Sequence, residues 1–134
     1  MEPIVYHQRI KLPYRYTAGD AVTAFIDGLA EGTILGAPCG RCEATVVPAR
    51  PFCPTCSGSL TEFVPVGTGG EITTFTVDGD GRVMAMIRLD GADTAFPFVV
   101  DADPSDVSIG TRVEARFAAD PPRTVEAIEA FVIA

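Results

Sequence analysis

The clearest pattern of hydrophobic and polar positions follows Gly58, where short apolar runs alternate with turn-forming residues. The stretches "RVMAMIRL" and "RVEARF" alternate as half-buried strands do, and "FPFVV" is continuously apolar, as in a central strand. The breaks "GTGG", "DGDG", "DGAD", "DPSDVSIG" and "DPP" are typical of turns. This pattern predicts strands near Leu60–Val66, Glu71–Val77, Val83–Leu89, Phe96–Asp101, Arg112–Ala118 and Thr124–Val132. Five or six short antiparallel strands favour a small barrel, and the OB-fold is the commonest barrel of about this size.

A helical pattern precedes this region in "TAGDAVTAFIDGLAEG", residues 17–32. Thr17 or Asp20 is suited to cap its start, and Gly32 is suited to end it. The apolar positions at helical spacing are Ala21, Val22, Phe25, Ile26 and Leu29. This face buries either against the same chain or against another subunit. Short strands are also predicted at Ile34–Gly36 and Thr45–Pro48.

Residues 1–16 form an arm to which we assign no helical or strand period. The arm contains all three tyrosines of the chain and has a positive local charge. Its aromatic and basic residues are Tyr6, Tyr14, Tyr16, His7, Arg9, Lys11 and Arg15. Two interpretations stay open: the arm packs on its own chain, or it is a docking arm for a partner, since Tyr and Arg are favoured at interfaces.

The chain of 134 residues has a net charge of −8, which lies entirely in its second half. Residues 1–60 carry five acids and five bases, whereas residues 61–134 carry thirteen acids and five bases. An acidic body repels phosphate backbones, so we expect no nucleic-acid partner. We find no signal peptide in "MEPIVYHQRIKLPYRY" and no apolar run near the ~20 residues that span a bilayer. We therefore expect a soluble, cytoplasmic protein with no membrane partner, in a setting that disfavours disulfides.

All four cysteines lie in "CGRCEATVVPARPFCPTC", residues 39–56, as two Cys-x-x-Cys pairs. Two such turns on a hairpin present four thiolates to a tetrahedral metal ion, which is the pattern of a zinc ribbon. We predict a structural Zn²⁺ bound by Cys39, Cys42, Cys53 and Cys56, with iron in a rubredoxin-like site as the alternative. Four thiolates leave no open position for catalysis, and neither pair lies between a strand and a helix as in a redox dithiol. Glu43, directly after Cys42, is not ideal for the tight turn.

Other candidate residues do not form a catalytic group. His7 is the only imidazole and lies in the arm. The carboxylates of "DGDG" and "DGAD" are expected for turn geometry alone, and "GTGG" is a strand entry more than a phosphate loop. We therefore predict no catalytic and no cofactor-binding residue, and we expect no activity from this chain alone.

The order of helix, four-cysteine ribbon and barrel resembles a known family from about Tyr14 onward. The similar stretches include "YRYTAGDAVTAFIDGLAEGTILG", "PARPFCP" and "LDGAD". The family is that of the OB-fold/rubredoxin-like zinc-ribbon proteins, formerly a domain of unknown function, which partner thiolase-superfamily acyl-CoA enzymes. The resemblance implies an arm and helix over residues 1–36, a zinc ribbon over 37–59 and an OB-fold barrel over 60–134.

The function that this resemblance implies is that of a non-catalytic accessory subunit. The Tyr-rich entry "LPYRYTAGDAVTAFIDGL" is most similar to the branch that supports a lipid-transfer-protein-like aldolase. Enzymes of that kind shorten steroid side chains by retro-aldol cleavage of a CoA thioester, and a two-plus-two heterotetramer is expected. The alternative within the family is a bridging subunit of a thiolase/hydroxymethylglutaryl-CoA synthase or acyltransferase complex. Outside the family, the alternatives are a single-strand-binding OB-fold protein and an independent thioesterase or hydratase. Arg41, Arg50 and Arg82 are solvated surface charges or, as the alternative, a patch for the phosphates of CoA.

Overall fold

The computed structural model describes all 134 residues and has one α-helix and eight β-strands. The elements are α1 (Gly19–Ala30), β1 (Ile34–Cys39), β2 (Ala44–Val46), β3 (Val64–Val66), β4 (Gly69–Val77), β5 (Val83–Leu89), β6 (Ala95–Val100), β7 (Arg112–Phe117) and β8 (Ile128–Ile133). Two short 3-10 turns lie at Pro104–Asp106 and Val125–Ala127. The predicted mainly-β fold with one amino-terminal helix is confirmed.

Five strands close into a barrel in the order β4-β5-β6-β8-β7. Neighbouring strands are antiparallel except β6 and β8, which meet in parallel at Val100 and Phe131, so the predicted antiparallel arrangement has one exception. Ile72, Ile87 and Phe131 are fully buried inside. The alternation of "RVMAMIRL" explains this core, because every second side chain of β5 points inward. The predicted OB-like barrel is confirmed.

The first barrel strand, β4, contacts two neighbours where the barrel closes. Gly70 is paired with Leu89 of β5 and with Val113 of β7. A Cβ atom on Gly70 would lie 2.3 Å from the carbonyl oxygen of Arg88, so only glycine fits between these backbones. "GTGG" is therefore the entry to a strand, and its last two glycines belong to β4.

A second sheet of three strands, in the order β2-β1-β3, forms the ribbon. β1 is antiparallel to both of its neighbours. The ribbon sheet includes residues 34–39 and 64–66, so it extends on both sides of the borders predicted at residues 37 and 59. The division into three domains remains a prediction.

The helix α1 buries its apolar face against its own chain. Ala21, Phe25 and Leu29 are 3%, 8% and 1% exposed, and the last two belong to the main hydrophobic core. The helix ends as predicted, because Gly32 has a positive φ of 77° just beyond it. The predicted caps are wrong: the N-cap position is occupied by Ala18, and no side chain caps the helix.

No helix of the structure has the length and apolar character needed to cross a membrane.

The arm does not pack on the rest of the chain. Residues 1–17 are all exposed and form no helix or strand. The interpretation that the arm packs on its own chain is therefore wrong.

A turn between β5 and β6 ties the barrel to the ribbon. The backbone N–H of Thr45 donates to the carboxylate of Asp93 over 2.8 Å, and the N–H of Asp93 donates to the carbonyl of Thr45 over 2.9 Å. The hydroxyl of Thr94 accepts from the N–H of Val47 at 2.8 Å and donates to its carbonyl at 3.0 Å. Both polar groups of the buried Val47 backbone are thus satisfied by one side chain.

Replacing Thr94 with alanine is expected to lower the free energy of unfolding by about 2 kcal/mol, because it leaves buried backbone groups without a partner. The measurement is urea unfolding of the metal-loaded protein. Thr94→Ser is the matched control, since it keeps the hydroxyl and loses only a methyl group. A serine variant as unstable as the alanine variant would show that the methyl group, and not the hydroxyl, matters here.

Candidate metal centre

The two cysteine pairs are placed by the ribbon strands. Cys39 ends β1, and Cys42 lies just before β2, so the first pair occupies the turn between two paired strands. Cys53 and Cys56 lie in a second turn, whose ends meet in a bridge between Phe52 and Ser59. The first cysteine of each pair is buried and the second is half-buried, so both pairs face inward in the same way.

The four sulfur atoms form one compact group. All of them lie within 4.8 Å of one another. Cys39 Sγ is 3.6 Å from Cys56 Sγ, and Cys53 Sγ is 3.8 Å from Cys42 Sγ. These distances are far longer than the ~2.05 Å of a disulfide bond. A tetrahedral zinc ion with bonds of about 2.3 Å has sulfur–sulfur edges of about 3.8 Å, so the group fits such an ion.

The two turns share a backbone feature directly after their second cysteine. Glu43 and Ser57 have positive φ angles of 53° and 61°, and no other residue except glycine does. In the second turn the N–H of Ser57 donates to the carbonyl of Cys53 over 2.9 Å, and the N–H of Gly58 donates to the sulfur of Cys56 over 3.4 Å. The reservation about Glu43 is therefore justified, because a left-handed conformation is unfavourable for a residue with a Cβ. The chain nevertheless adopts it in both turns.

The electrostatics of the group favour bound cations. Backbone N–H groups of Cys56 and Thr55 donate to the sulfur of Cys53 and lower its pKa to about 6. The pKa of Cys42 is raised to about 12, first by its hydrogen bond to Cys56 and then by desolvation. The turn thus stabilises the thiolate of Cys53, whereas the neighbouring sulfurs disfavour the thiolate of Cys42. Metal ligands must be deprotonated, and a divalent cation among the sulfurs would stabilise all of them as thiolates.

The candidate histidine and the candidate carboxylates are not part of this group of ligands. His7 lies in the exposed arm. Asp78 accepts hydrogen bonds from the backbones of Asp80 and Arg82, which is the predicted turn role. Asp90 is in an ion pair with Arg112, whose hydrogen bond lowers the pKa of the Asp90 carboxyl.

The role of Asp93 and Thr94 was missed by sequence reasoning. Asp93 is the last residue of "DGAD" and Thr94 follows it; this composition indicates only a turn, yet the two residues hold the ribbon strand that leads to the second cysteine pair. Their partners are 48 and 47 residues away in the chain, so no local signal could have found them.

Fold and site together define a class of protein: a rubredoxin-like four-cysteine zinc ribbon joined to an OB-like barrel. Residues 27–62 match the family model described as "ChsH2, rubredoxin-like zinc ribbon domain". A DUF35 domain-containing scaffold protein of Methanocaldococcus jannaschii is 32% identical over 95 residues, which cover 63% of this chain and 67% of that protein. The chain belongs to the DUF35 family.

Two solved structures share the fold. A DUF35-family protein of unknown function from Sulfolobus solfataricus superposes with a TM-score of 0.66 at 19% identity, covering 87% of each chain. A chain of the Ltp2-ChsH2(DUF35) aldolase superposes with a TM-score of 0.63 at 16% identity, covering 89% of this chain and 98% of that one.

Proposed function

We propose that this chain is a non-catalytic accessory subunit of a thiolase-superfamily enzyme, built around a structural metal. The observation that carries the proposal is the closed group of four sulfurs within 4.8 Å of one another. A metal held by four thiolates has no open position for a substrate or water. The thiols are then unavailable as nucleophiles, and the only imidazole lies in the arm. With neither a thiol nor an imidazole placed for catalysis, the role that fits this chain best is the support of a partner enzyme.

The metal that we propose is Zn²⁺, bound by Cys39, Cys42, Cys53 and Cys56. The spacing of the sulfurs fits it, and the matched family model is that of a zinc ribbon. Iron is accepted by the same kind of tetrahedron, so elemental analysis of the purified protein decides between the two. When bound, the ion supplies folding free energy to the ribbon.

The partner that we favour is an aldolase that cleaves the side chain of a steroid CoA thioester. Its support is the fold shared with the Ltp2-ChsH2(DUF35) aldolase chain, which this protein covers almost completely. A retro-aldol step takes the proton from a β-hydroxyl group, breaks the adjacent carbon–carbon bond and protonates the departing thioester enolate. The base and the group that stabilises the enolate would belong to the partner. This chain would add buried surface and order the partner's loops.

A second candidate is a scaffold that bridges a thiolase and a hydroxymethylglutaryl-CoA synthase. The Methanocaldococcus jannaschii relative, which is called a scaffold protein, favours it. In both candidate functions the reaction takes place in other subunits. The chain binds one enzyme in the first function and two enzymes in the second.

A nucleic-acid-binding role has less support in the charges of the barrel. Every basic residue of the second half is in an ion pair with a carboxylate; these are Arg82, Arg88, Arg112, Arg116 and Arg123. A phosphate backbone would have to displace those carboxylates. Arg41 and Arg50 remain outside these pairs, so a contact of these two with CoA stays a proposal.

Co-expression with thiolase-superfamily subunits tests the function. We expect this chain to co-purify with one aldolase in a two-plus-two assembly. The aldolase alone should lose at least about 10-fold in kcat/KM with a β-hydroxyacyl-CoA substrate, and adding this chain should restore it. Isolation of a three-component complex with a thiolase and a synthase would favour the scaffold instead. Full activity of every thiolase-superfamily partner without this chain would refute the accessory role.

A further inference from the structure

The exposed arm has a strand-like alternation of side chains, contrary to the expectation that it has no period. Between residues 4 and 16, six of the seven even-numbered residues are large and apolar: Ile4, Tyr6, Ile10, Leu12, Tyr14 and Tyr16. The odd-numbered residues include every base of the arm and its only imidazole: His7, Arg9, Lys11 and Arg15. In an extended chain successive side chains point to opposite faces, so this segment has one apolar and one cationic face.

The apolar face has no partner within the chain. Tyr16 is its least exposed apolar residue, and 73% of its surface is still accessible. No hydrogen bond or ion pair joins residues 4–16 to the body of the protein. A contiguous exposed face of this kind is typical of an interaction site.

The prolines of the arm agree with strand pairing along one edge. Within an antiparallel strand, the N–H and C=O groups of alternate residues point to opposite edges. Pro3 and Pro13 are both odd-numbered and have no N–H to donate. The edge formed by the backbone groups of odd-numbered residues is therefore suited to face solvent. The edge formed by the even-numbered residues keeps every N–H and can pair with a neighbouring strand.

This chain offers only short strand edges to such an arm, so a second copy is a poor occupant. In the barrel, residues 73–77 of β4 and 95–99 of β6 have a strand neighbour on one side only, over five residues each. At the ribbon sheet, the β2 edge is held by Asp93 and Thr94, and β3 has only three residues with Pro65 in its middle. A segment of thirteen residues cannot pair along any of these edges over its full length.

We infer that residues 4–16 dock as an added β-strand on the partner enzyme subunit. This inference rests on the proposed function. The even-numbered face lies on an apolar floor of the partner, and the odd-numbered cations meet an acidic rim. Main-chain pairing contributes affinity in this mode, while alternate side chains confer specificity. The arm has one acid and three bases, whereas residues 17–134 have 17 acids and 7 bases. The arm is therefore net positive, and the rest of the chain is net negative.

The test uses the full chain and the thiolase-superfamily subunit recovered with it by co-expression. The first variant is Tyr6→Ser/Ile10→Ser/Tyr14→Ser, and the matched control is His7→Ser/Arg9→Ser/Arg15→Ser. We expect the first to raise Kd at least about 100-fold at any salt concentration, since buried tyrosines dominate interfaces. The control should raise Kd less than about 10-fold, and that loss should vanish at high salt. Neither should change the melting temperature of the isolated chain, because both sets are exposed.

Hydrogen exchange in the complex, resolved by residue after quenching, gives the second readout. The amides of Tyr6, Ile10 and Tyr14 should become protected, while those of Arg9, Lys11 and Arg15 continue to exchange. The docked strand would be contradicted if the two variants lost equal affinity or if the first variant lost none. It would also be contradicted if the amides of even-numbered and odd-numbered residues were protected alike. If the intact chain binds no thiolase-superfamily subunit at all, the proposed function fails and this inference fails with it.

Discussion

Replacing Cys53 with serine is expected to abolish tight metal binding and to lower the free energy of unfolding by about 4 kcal/mol or more. Cys53 is 3% exposed and receives the backbone N–H bonds of its turn, so the turn stabilises its thiolate. Its loss leaves three sulfurs and a distorted shell. In small zinc domains the metal binds with a free energy of about 10–16 kcal/mol, and this free energy also stabilises the fold. Losing one ligand therefore removes a large part of that stabilisation.

The measurements are the zinc and iron content of the purified protein and its urea unfolding curve. Thr55→Ser is the matched control, because Thr55 is exposed within the same turn and contributes no sulfur. Wild-type protein treated with a strong chelator should lose stability like the serine variant. A wild-type protein that is stably folded with four titratable thiols and no bound metal would contradict the metal centre itself.

Replacing Gly70 with alanine is expected to lower the free energy of unfolding by about 3 kcal/mol without changing the metal content. The added Cβ would lie 2.3 Å from the carbonyl oxygen of Arg88 and 2.8 Å from the Cα of Leu89. These are backbone atoms and cannot rotate away. Gly70 is also paired on its other side with Val113, so β4 cannot shift without weakening a second strand pair.

The control for this substitution is Gly79→Ala. Gly79 lies in the "DGDG" turn, and a Cβ there would meet no atom within 4 Å. Urea unfolding should show a change of less than about 0.5 kcal/mol for this variant. Similar losses for the two alanines would mean that the cost arises from glycine content and not from the close approach of strands at Gly70.

Much of the secondary structure could be predicted because its signals are local. β5 begins and ends at the residues that its alternation indicates, Val83 and Leu89. β8 begins at Ile128 and not at Thr124, because the hydroxyl of Thr124 accepts the N–H of Glu126 and starts a 3-10 turn.

The position of β3 shows where local signals fail. The apolar pattern predicts a strand over Leu60–Val66, yet only Val64–Val66 is a strand. The N–H of Leu60 donates instead to the carbonyl of Pro51 over 2.8 Å, which ties it to the second cysteine turn. β3 then pairs with β1 in the ribbon and not with the barrel that follows it in sequence.

The sequence by itself determined the helix, most of the strands and the four-cysteine centre, because periodicity and Cys-x-x-Cys spacing act over a few residues. Only the tertiary structure decided which strands are neighbours, how the Asp93–Thr94 turn holds the ribbon, and that the arm stands free of the body. Those outcomes depend on contacts between residues far apart in the chain. Whether the apolar side chains of the arm are buried likewise depends on what the fold places against them, and their alternation alone does not contain that information.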